Sequence, residues 1–208
     1  MEALTEQAMG VDGISPELYQ QRLDLVQPNY QDMLQLAQAY NEHRSLDVLQ
    51  VIQMLQRLGK AVYIISAGNN PSVSLFAESL GVAASHVYCV DLEFDQQGVY
   101  VSFDLASPLV SNEGKATIIR KVRKEQNLSS VLLVGDGMND YSAAEAVDYF
   151  VGYGGNFYRE KLASLSDCYI KDQSLLALLP LVLTKQELSL LTVQEKAYYD
   201  RGLALVGR

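Results

Sequence analysis

The stretch VLLVGDGMNDYSAAEAVD, Val131 to Asp148, constrains the fold of this chain more than any other. Four apolar residues run into Asp136, which is bracketed by Gly135 and Gly137, and a second carboxylate, Asp140, follows four positions later. A short apolar run without polar relief reads as a strand covered on both faces, as in a parallel sheet flanked by helices. The glycines let the backbone bend sharply at the strand end and let a ligand approach it closely. Two carboxylates held near one another repel unless a cation sits between or beside them. Mg²⁺ suits such a pair, because it takes one or two carboxylates together with phosphate oxygens and water.

Rival readings of the stretch fail on spacing. A calcium loop begun at Asp136 needs a glutamate at its twelfth position, where Val147 stands. A dinucleotide-binding turn needs a glycine where Asp140 stands, and the phosphate P-loop pattern is absent. An acidic turn without chemistry is the remaining alternative.

The rest of the chain alternates between strand and helix signals. Residues 1–58 read as helices, with SPELYQQRLDLV opening on a Ser15 cap and Pro16 at the first helical position. AVYIIS, 61–66, reads as a buried strand, followed by a loop and a helix with Pro71 near its start and Gly81 past its end. HVYCVDLEFDQQGVYVSFD alternates around Gln96-Gln97-Gly98 and reads as a hairpin or a strand with an extension, with Asp91, Glu93 and Asp95 on its solvated face. NEGKATIIRKVRKEQ reads as a helix, DYSAAEAVD as a small-residue helix, and YFVGYGG and CYIK as further strands. Such alternation defines an α/β protein with a parallel sheet. Residues from Leu181 onward read as helical, with the Tyr-rich AYYDRG exposed.

Composition excludes several classes of function. A net charge of −9 argues against nucleic-acid and anionic-membrane partners, which call for a basic face. Cys89 and Cys168 form no disulfide framework, which points to a reducing, cytoplasmic setting. The start MEALTEQAMGVDG is acidic and lacks the apolar core of a signal peptide. The greasy run LLALLPLVL is too short for a membrane span and contains Pro180.

Ligands in parallel α/β sheets sit at the carboxyl ends of the strands, and two more places put reactive groups there. Ser66 ends a strand just before a helix, where a hydroxyl and free N–H groups suit a phosphate; a serine that merely caps the helix is the alternative. Lys115 shares a helical stripe with Ile118, Ile119 and Val122, so its ammonium either snorkels to solvent or is aimed at a fixed anion.

Together these three places resemble the haloacid dehalogenase (HAD) superfamily of phosphatases. VYIISAG is similar to its second motif, Gly114-Lys115 to its third and VLLVGDGMND to its fourth. The match is tightest with the phosphoserine phosphatase family, whose cap helices MEALTEQAMG and LYQQRLDLV resemble and whose closing segment GYGGNFYREKLASLSDCYI resembles. The resemblance covers roughly residues 1–178. It implies a Rossmann-like core over 46–180, the remnant of a helical C1-type cap over 1–45 and a helical tail over 181–208. It also implies a small phosphomonoester substrate, first L-phosphoserine with another small phosphomonoester as the alternative, and Mg²⁺ as cofactor. Ser66 and the Ala67 N–H would hold the phosphoryl oxygens, with Gly68 in the small-residue loop. Lys115 would neutralise charge on the phosphate. Asp136 would bind the metal directly, while Asp140 and Asn139 support it and its waters. Arg22 would grip the substrate carboxylate, and Met9 and Ile14 would approach the substrate from the cap. Arg22 also falls on a stripe shared with Leu18 and Leu25, which predicts an apolar surround; a surface arginine with a buried stem is the alternative.

One departure from the family is large. Its nucleophilic aspartate lies in a DxDx[ST] motif on a strand upstream of the cap, and no such motif occurs in these 208 residues. That strand occupies the middle of the family's sheet, between the strands that end here at Ser66 and Asp136. Without it, two apolar strands face a slot with unpaired backbone groups. The strand is expected from a segment preceding Met1 or from a second chain such as a homodimer partner; otherwise the protein binds phosphate esters without catalysis. A smaller departure is HRSLD, where the family carries a Pro-Gly turn.

Overall fold

Apolar strands and capped helices alternate through residues 14–206, the part of the chain that the computed structural model describes. Two helices come first, α1 (Pro16–Val26) and α2 (Tyr30–Glu42). The Ser15 hydroxyl caps α1 by accepting from the Leu18 N–H at 3.2 Å. Asn29 and Asp32 cap α2 reciprocally, each side chain accepting from the other's N–H. Then follow α3 (Val48–Arg57), β1 (Ile64–Asn70), α4 (Ser72–Ser79) and the hairpin β2 (Val87–Phe94) and β3 (Tyr100–Phe103). The second half runs α5 (Gly114–Glu125), β4 (Leu132–Gly135), α6 (Met138–Tyr141), β5 (Tyr149–Tyr153), α7 (Glu160–Leu165) and β6 (Cys168–Ile170). Three helices close the chain: α8 (Leu179–Val182), α9 (Lys185–Leu188) and α10 (Val193–Leu205).

The strands form two sheets rather than one. β1 pairs in parallel with β2, which pairs antiparallel with β3, and β4, β5 and β6 form a wholly parallel sheet. Among the described residues β1 and β4 each lie at the edge of their sheet, as the expected slot between them requires. Every residue of β1 is only half-buried, whereas β5 is buried from Phe150 to Tyr153. The two sheets are joined through α5. Ile65 of β1 and Leu133 of β4 pack against one apolar cluster of Ala116, Ile119, Ala143 and Ala146.

Several expectations change. β1 begins at Ile64 rather than residue 61 and continues to Asn70, because its pairing with β2 resumes beyond a bulge. The segment DYSAAEAVD is no continuous helix. It makes the single turn of α6 and a 3₁₀ turn at Ala144–Ala146 before the chain is drawn back to the sheet, where the Asp148 N–H donates to the Val131 carbonyl at 2.9 Å. On α1, Leu18, Tyr19 and Leu23 are buried, but Leu25 is 64% exposed and lies off the buried face.

The closing helices are part of the core. Leu183, Leu191, Tyr198 and Tyr199 pack against Val51, Met54, Leu176 and Leu179, so the tyrosines of AYYDRG are half-buried rather than exposed. Gly202 permits this. A Cβ there would overlap the Leu176 carbonyl oxygen. Arg57 donates to both carboxylate oxygens of Glu195, at 2.5 and 2.6 Å, and ties α10 to α3. Among the described residues, no helix is long and apolar enough to cross a membrane.

Candidate active site

The carboxyl end of β4 carries a dense polar cluster. Asp140, 6% exposed, turns its carboxylate back over the strand end, where Oδ2 accepts from the N–H groups of Asp136 at 3.1 Å and Gly137 at 3.0 Å. Its Oδ1 accepts from the Lys115 ammonium. Gly135 makes room for this: a Cβ on it would overlap Cβ and Cγ of Asp140. Gly114 likewise lets α5 start hard against the Pro108 carbonyl and delivers Lys115 to the cluster. The Lys115 side chain is only 12% exposed, so it is aimed at an anion rather than snorkelling outward.

Asp136 stands beside this pair but outside the ion pairs of the described residues. It reaches solvent on one side and is crowded by protein on the other. That crowding, and then the negative charge of Asp140, push its carboxyl above the ordinary range, with Arg159 and Lys115 pulling the other way. The donor set fits a magnesium ion: Asp136 keeps lone pairs for direct coordination, while Asp140 is held rigid by three donors. Among the described residues, no group of three or more His, Cys, Asp or Glu side chains converges as a larger cage. Asn139 is half-buried in α6, where its carbonyl accepts from the Ser142 hydroxyl at 2.8 Å.

Ser66, Ala67 and Gly68 lie on β1 where its pairing breaks. Ile65 pairs with Tyr88 and Asn69 with Val90, so three residues of β1 stand opposite Cys89 alone and form a bulge. The Gly68 N–H donates to Ser66 Oγ at 2.9 Å. A Cβ on Gly68 would press on that oxygen at 3.0 Å and on Val73 at 2.9 Å. Helix α1 comes down on the same bulge: the Tyr19 hydroxyl donates to the Ala67 carbonyl at 3.1 Å. Arg22 follows one turn later, close enough to act on the Tyr19 hydroxyl, and its Nε is buried without a hydrogen-bond partner. Ile14 is 6% exposed, and its N–H donates to Asn112 Oδ1 at 2.7 Å, which fastens the approach to α1 to the loop before α5. Met9 and the segment MEALTEQAMG lie outside the described residues.

Lys115, Asp136 and Gly137 thus meet on the carboxylate of Asp140, while Ser66, Ala67 and Gly68 form the β1 bulge and Arg22 lies near the Tyr19 hydroxyl that touches it. α5 links the two groups, since Ile65 packs on the cluster containing Ala116, next to Lys115. Arg159 joins them without having been singled out from the sequence. It acts electrostatically on Asp136, its Nε is buried and unpartnered, and its N–H donates to the Tyr169 hydroxyl at 2.9 Å. The available signal was Gly154-Gly155, a pair of small residues right after an apolar strand, which turns the following residues back toward the strand end.

A buried lysine–aspartate pair beside a second, solvent-reaching carboxylate, at the carboxyl ends of parallel strands, defines a phosphoryl-transfer type of α/β site. Residues 15–145 match the haloacid dehalogenase-like hydrolases, and the chain belongs to that family. It is 32% identical over 170 residues to a phosphoserine phosphatase of Drosophila melanogaster, covering 81% of this chain and 63% of that protein. With the phosphoserine phosphatase of Bos taurus it shares 29% identity over 169 residues, 81% of this chain and 75% of the relative. Its fold resembles the crystal structure of a phosphoserine phosphohydrolase-like protein from Francisella tularensis, with a TM-score of 0.73 at 22% identity, covering 88% of this chain and 83% of that one.

Proposed function

We propose that this chain is the larger part of a cytoplasmic, Mg²⁺-dependent phosphomonoesterase that converts L-phosphoserine to serine and phosphate. The observation that carries the reading is the Lys115–Asp140 pair, seated by Gly135 beside Asp136. Asp136 would hold the ion, with Asp140 and Asn139 supporting it; the ion would supply Lewis-acid charge to the transferring phosphoryl group. The Ser66 hydroxyl and the Ala67 N–H donate hydrogen bonds to phosphoryl oxygens, with Gly68 in the small-residue loop, and Lys115 offsets their growing charge. Arg22, with its unpaired Nε, takes the substrate carboxylate from the cap side. Residues up to 45 act as the cap, 46–180 as the core, and the tail from 181 braces α3.

These groups position and stabilise charge, but none is a nucleophile. The chemistry is completed by a strand bearing DxDx[ST], supplied by a preceding segment or by a partner chain, in the slot between β1 and β4. The second reading is a phosphate-ester-binding relative without turnover, in which no such strand joins these groups.

The deciding experiment is phosphate release from phosphoserine with Mg²⁺, comparing this chain with one extended at its N terminus by a DxDx[ST] strand. Turnover in the extended form that is lost in Asp136→Ala supports the phosphatase. An extended form that binds phosphoserine without releasing phosphate supports the binding protein. An Arg22→Ala variant should weaken phosphoserine handling about tenfold or more and leave carboxylate-free phosphoesters nearly unchanged.

A further inference from the structure

The bulge at Ser66–Gly68 interrupts the β1–β2 ladder, and backbone groups released from a ladder need other partners. One comes from within the bulge, where Ser66 Oγ takes the Gly68 N–H. The other comes from 48 residues away: the Tyr19 hydroxyl of α1 donates to the Ala67 carbonyl. That hydroxyl in turn accepts from Asn69 Nδ2, so one side chain of the cap is held between two residues of the bulge. Tyr19 is 4% exposed, and its ring packs on Phe103 with centroids 5.1 Å apart. Burial keeps the phenol protonated, and therefore a donor, far above neutral pH. Leu18 and Leu23 secure α1 to the core without specifying its position relative to the bulge, because apolar burial has no direction. The hydrogen bonds of Tyr19 do specify it.

We propose that Tyr19, clasped by Asn69, is a positioning residue: it hooks the cap helix onto the Ser66–Gly68 bulge and sets the direction in which the bulge presents its hydroxyl and amides to an anion. Arg22, one helical turn further, is carried over the bulge by the same hook. The inference rests on the reading of the bulge as a phosphate cradle and assigns to the two residues a role in shaping it.

The test uses Tyr19→Phe, which keeps the ring and its packing, and the double variant Tyr19→Phe/Asn69→Leu, which also removes the stranded amide donor. Three quantities are measured: the melting temperature, hydrogen exchange of α1 amides against α5 amides, and inorganic phosphate affinity with Mg²⁺, followed by NMR. In Tyr19→Phe, exchange in α1 should quicken about tenfold while α5 is unchanged, and phosphate affinity should fall about tenfold. The double variant should recover most of the melting temperature but neither the slow exchange nor the affinity. A purely structural role predicts recovery of all three together, and that result overturns the proposal. Wild-type exchange rates in the α1 of Tyr19→Phe overturn it as well. A wild-type chain that binds no phosphate refutes the cradle reading, and the hook then stands or falls on the α1 exchange rates alone.

Discussion

The two half-sheets solve the same problem in different ways. In β4–β5–β6 the backbone itself is packed close: Asp140 lies over Gly135, and the ring of Tyr169 and the hydroxyl of Ser166 lie over Gly152, each where a Cβ would stand. The polar end of that sheet is therefore nearly rigid, with Asp140 held by three donors. In β1–β2–β3 the ladder is broken by a bulge, and hydroxyls from Ser66 and Tyr19 replace the missing pairing. The apolar runs of β1 and β4 are of similar character and both stay largely half-buried, each at the edge of its sheet among the described residues, whereas β5, paired on both sides, is buried from Phe150 to Tyr153. A strand's burial thus depends on its neighbours as much as on its own residues.

The largest test of this contrast is Gly135→Ala. The added methyl would push Asp140 off its seat and strand the Lys115 ammonium in a largely buried place. The expected cost is about 4 kcal/mol in urea unfolding, with loss of Mg²⁺-dependent phosphate binding. A well-folded variant that binds phosphate normally would mean that the close packing at β4 is dispensable.

A matched pair of truncations sharpens the comparison between halves. Ile170→Ala on β6, where the residue is 4% exposed, should cost about 3 kcal/mol. Ile65→Ala on β1, where the side chain is half-buried, should cost about 1 kcal/mol, since less of it is removed from water in the native state. Adding a DxDx[ST] strand should raise the Ile65→Ala cost toward that of Ile170→Ala, as read from urea midpoints. Equal costs without the strand would show that the slot is closed in solution.

The smallest effect concerns the pH response at the base of β4. Asp148 is held below the ordinary aspartate range, first by its hydrogen bond from Arg123 and then by the Val131 N–H. A depressed folded-state pKa adds stability that is complete above the unfolded value and disappears as pH falls through the folded one. The melting-temperature gap between wild type and Asp148→Asn should therefore be widest at neutral pH and close on acidification. A gap that is constant across that range would remove the charge-based account of this contact.

How much was legible in the sequence differs by region. The strand and turn from Val131 to Asp140 were readable because every determinant lies within ten residues: apolar run, small residues and returning carboxylate. The Ser15 cap and the hairpin about Gly98 were readable for the same reason. Arg22 was placed on a stripe with Leu25, but the buried face of α1 turns instead through Leu18, Tyr19 and Leu23, because the helix meets both the core and the bulge. The start of β1 was set three residues early, since hydrophobicity cannot mark where pairing with β2 begins. The half-burial of Tyr198 and Tyr199 was not legible in the tail, because α10 has no strong apolar stripe of its own and is held by Gly202 against Leu176 and by Glu195 on Arg57.

The sequence by itself determined the local chemistry: an α/β chain with a glycine-bracketed acid pair, a lysine on an apolar helix face and a hydroxyl at a strand end. Only the tertiary structure decided which of these meet. Lys115 reaches Asp140 across 25 residues, Tyr19 reaches Ala67 across 48 and Arg57 reaches Glu195 across 138. Such distances are bridged by strand order and helix packing, which depend on the whole core, whereas turns, caps and periodicity act within a few residues. The edge positions of β1 and β4 among the described residues belong to the same class, because an edge is a property of the assembled sheet and of no single strand.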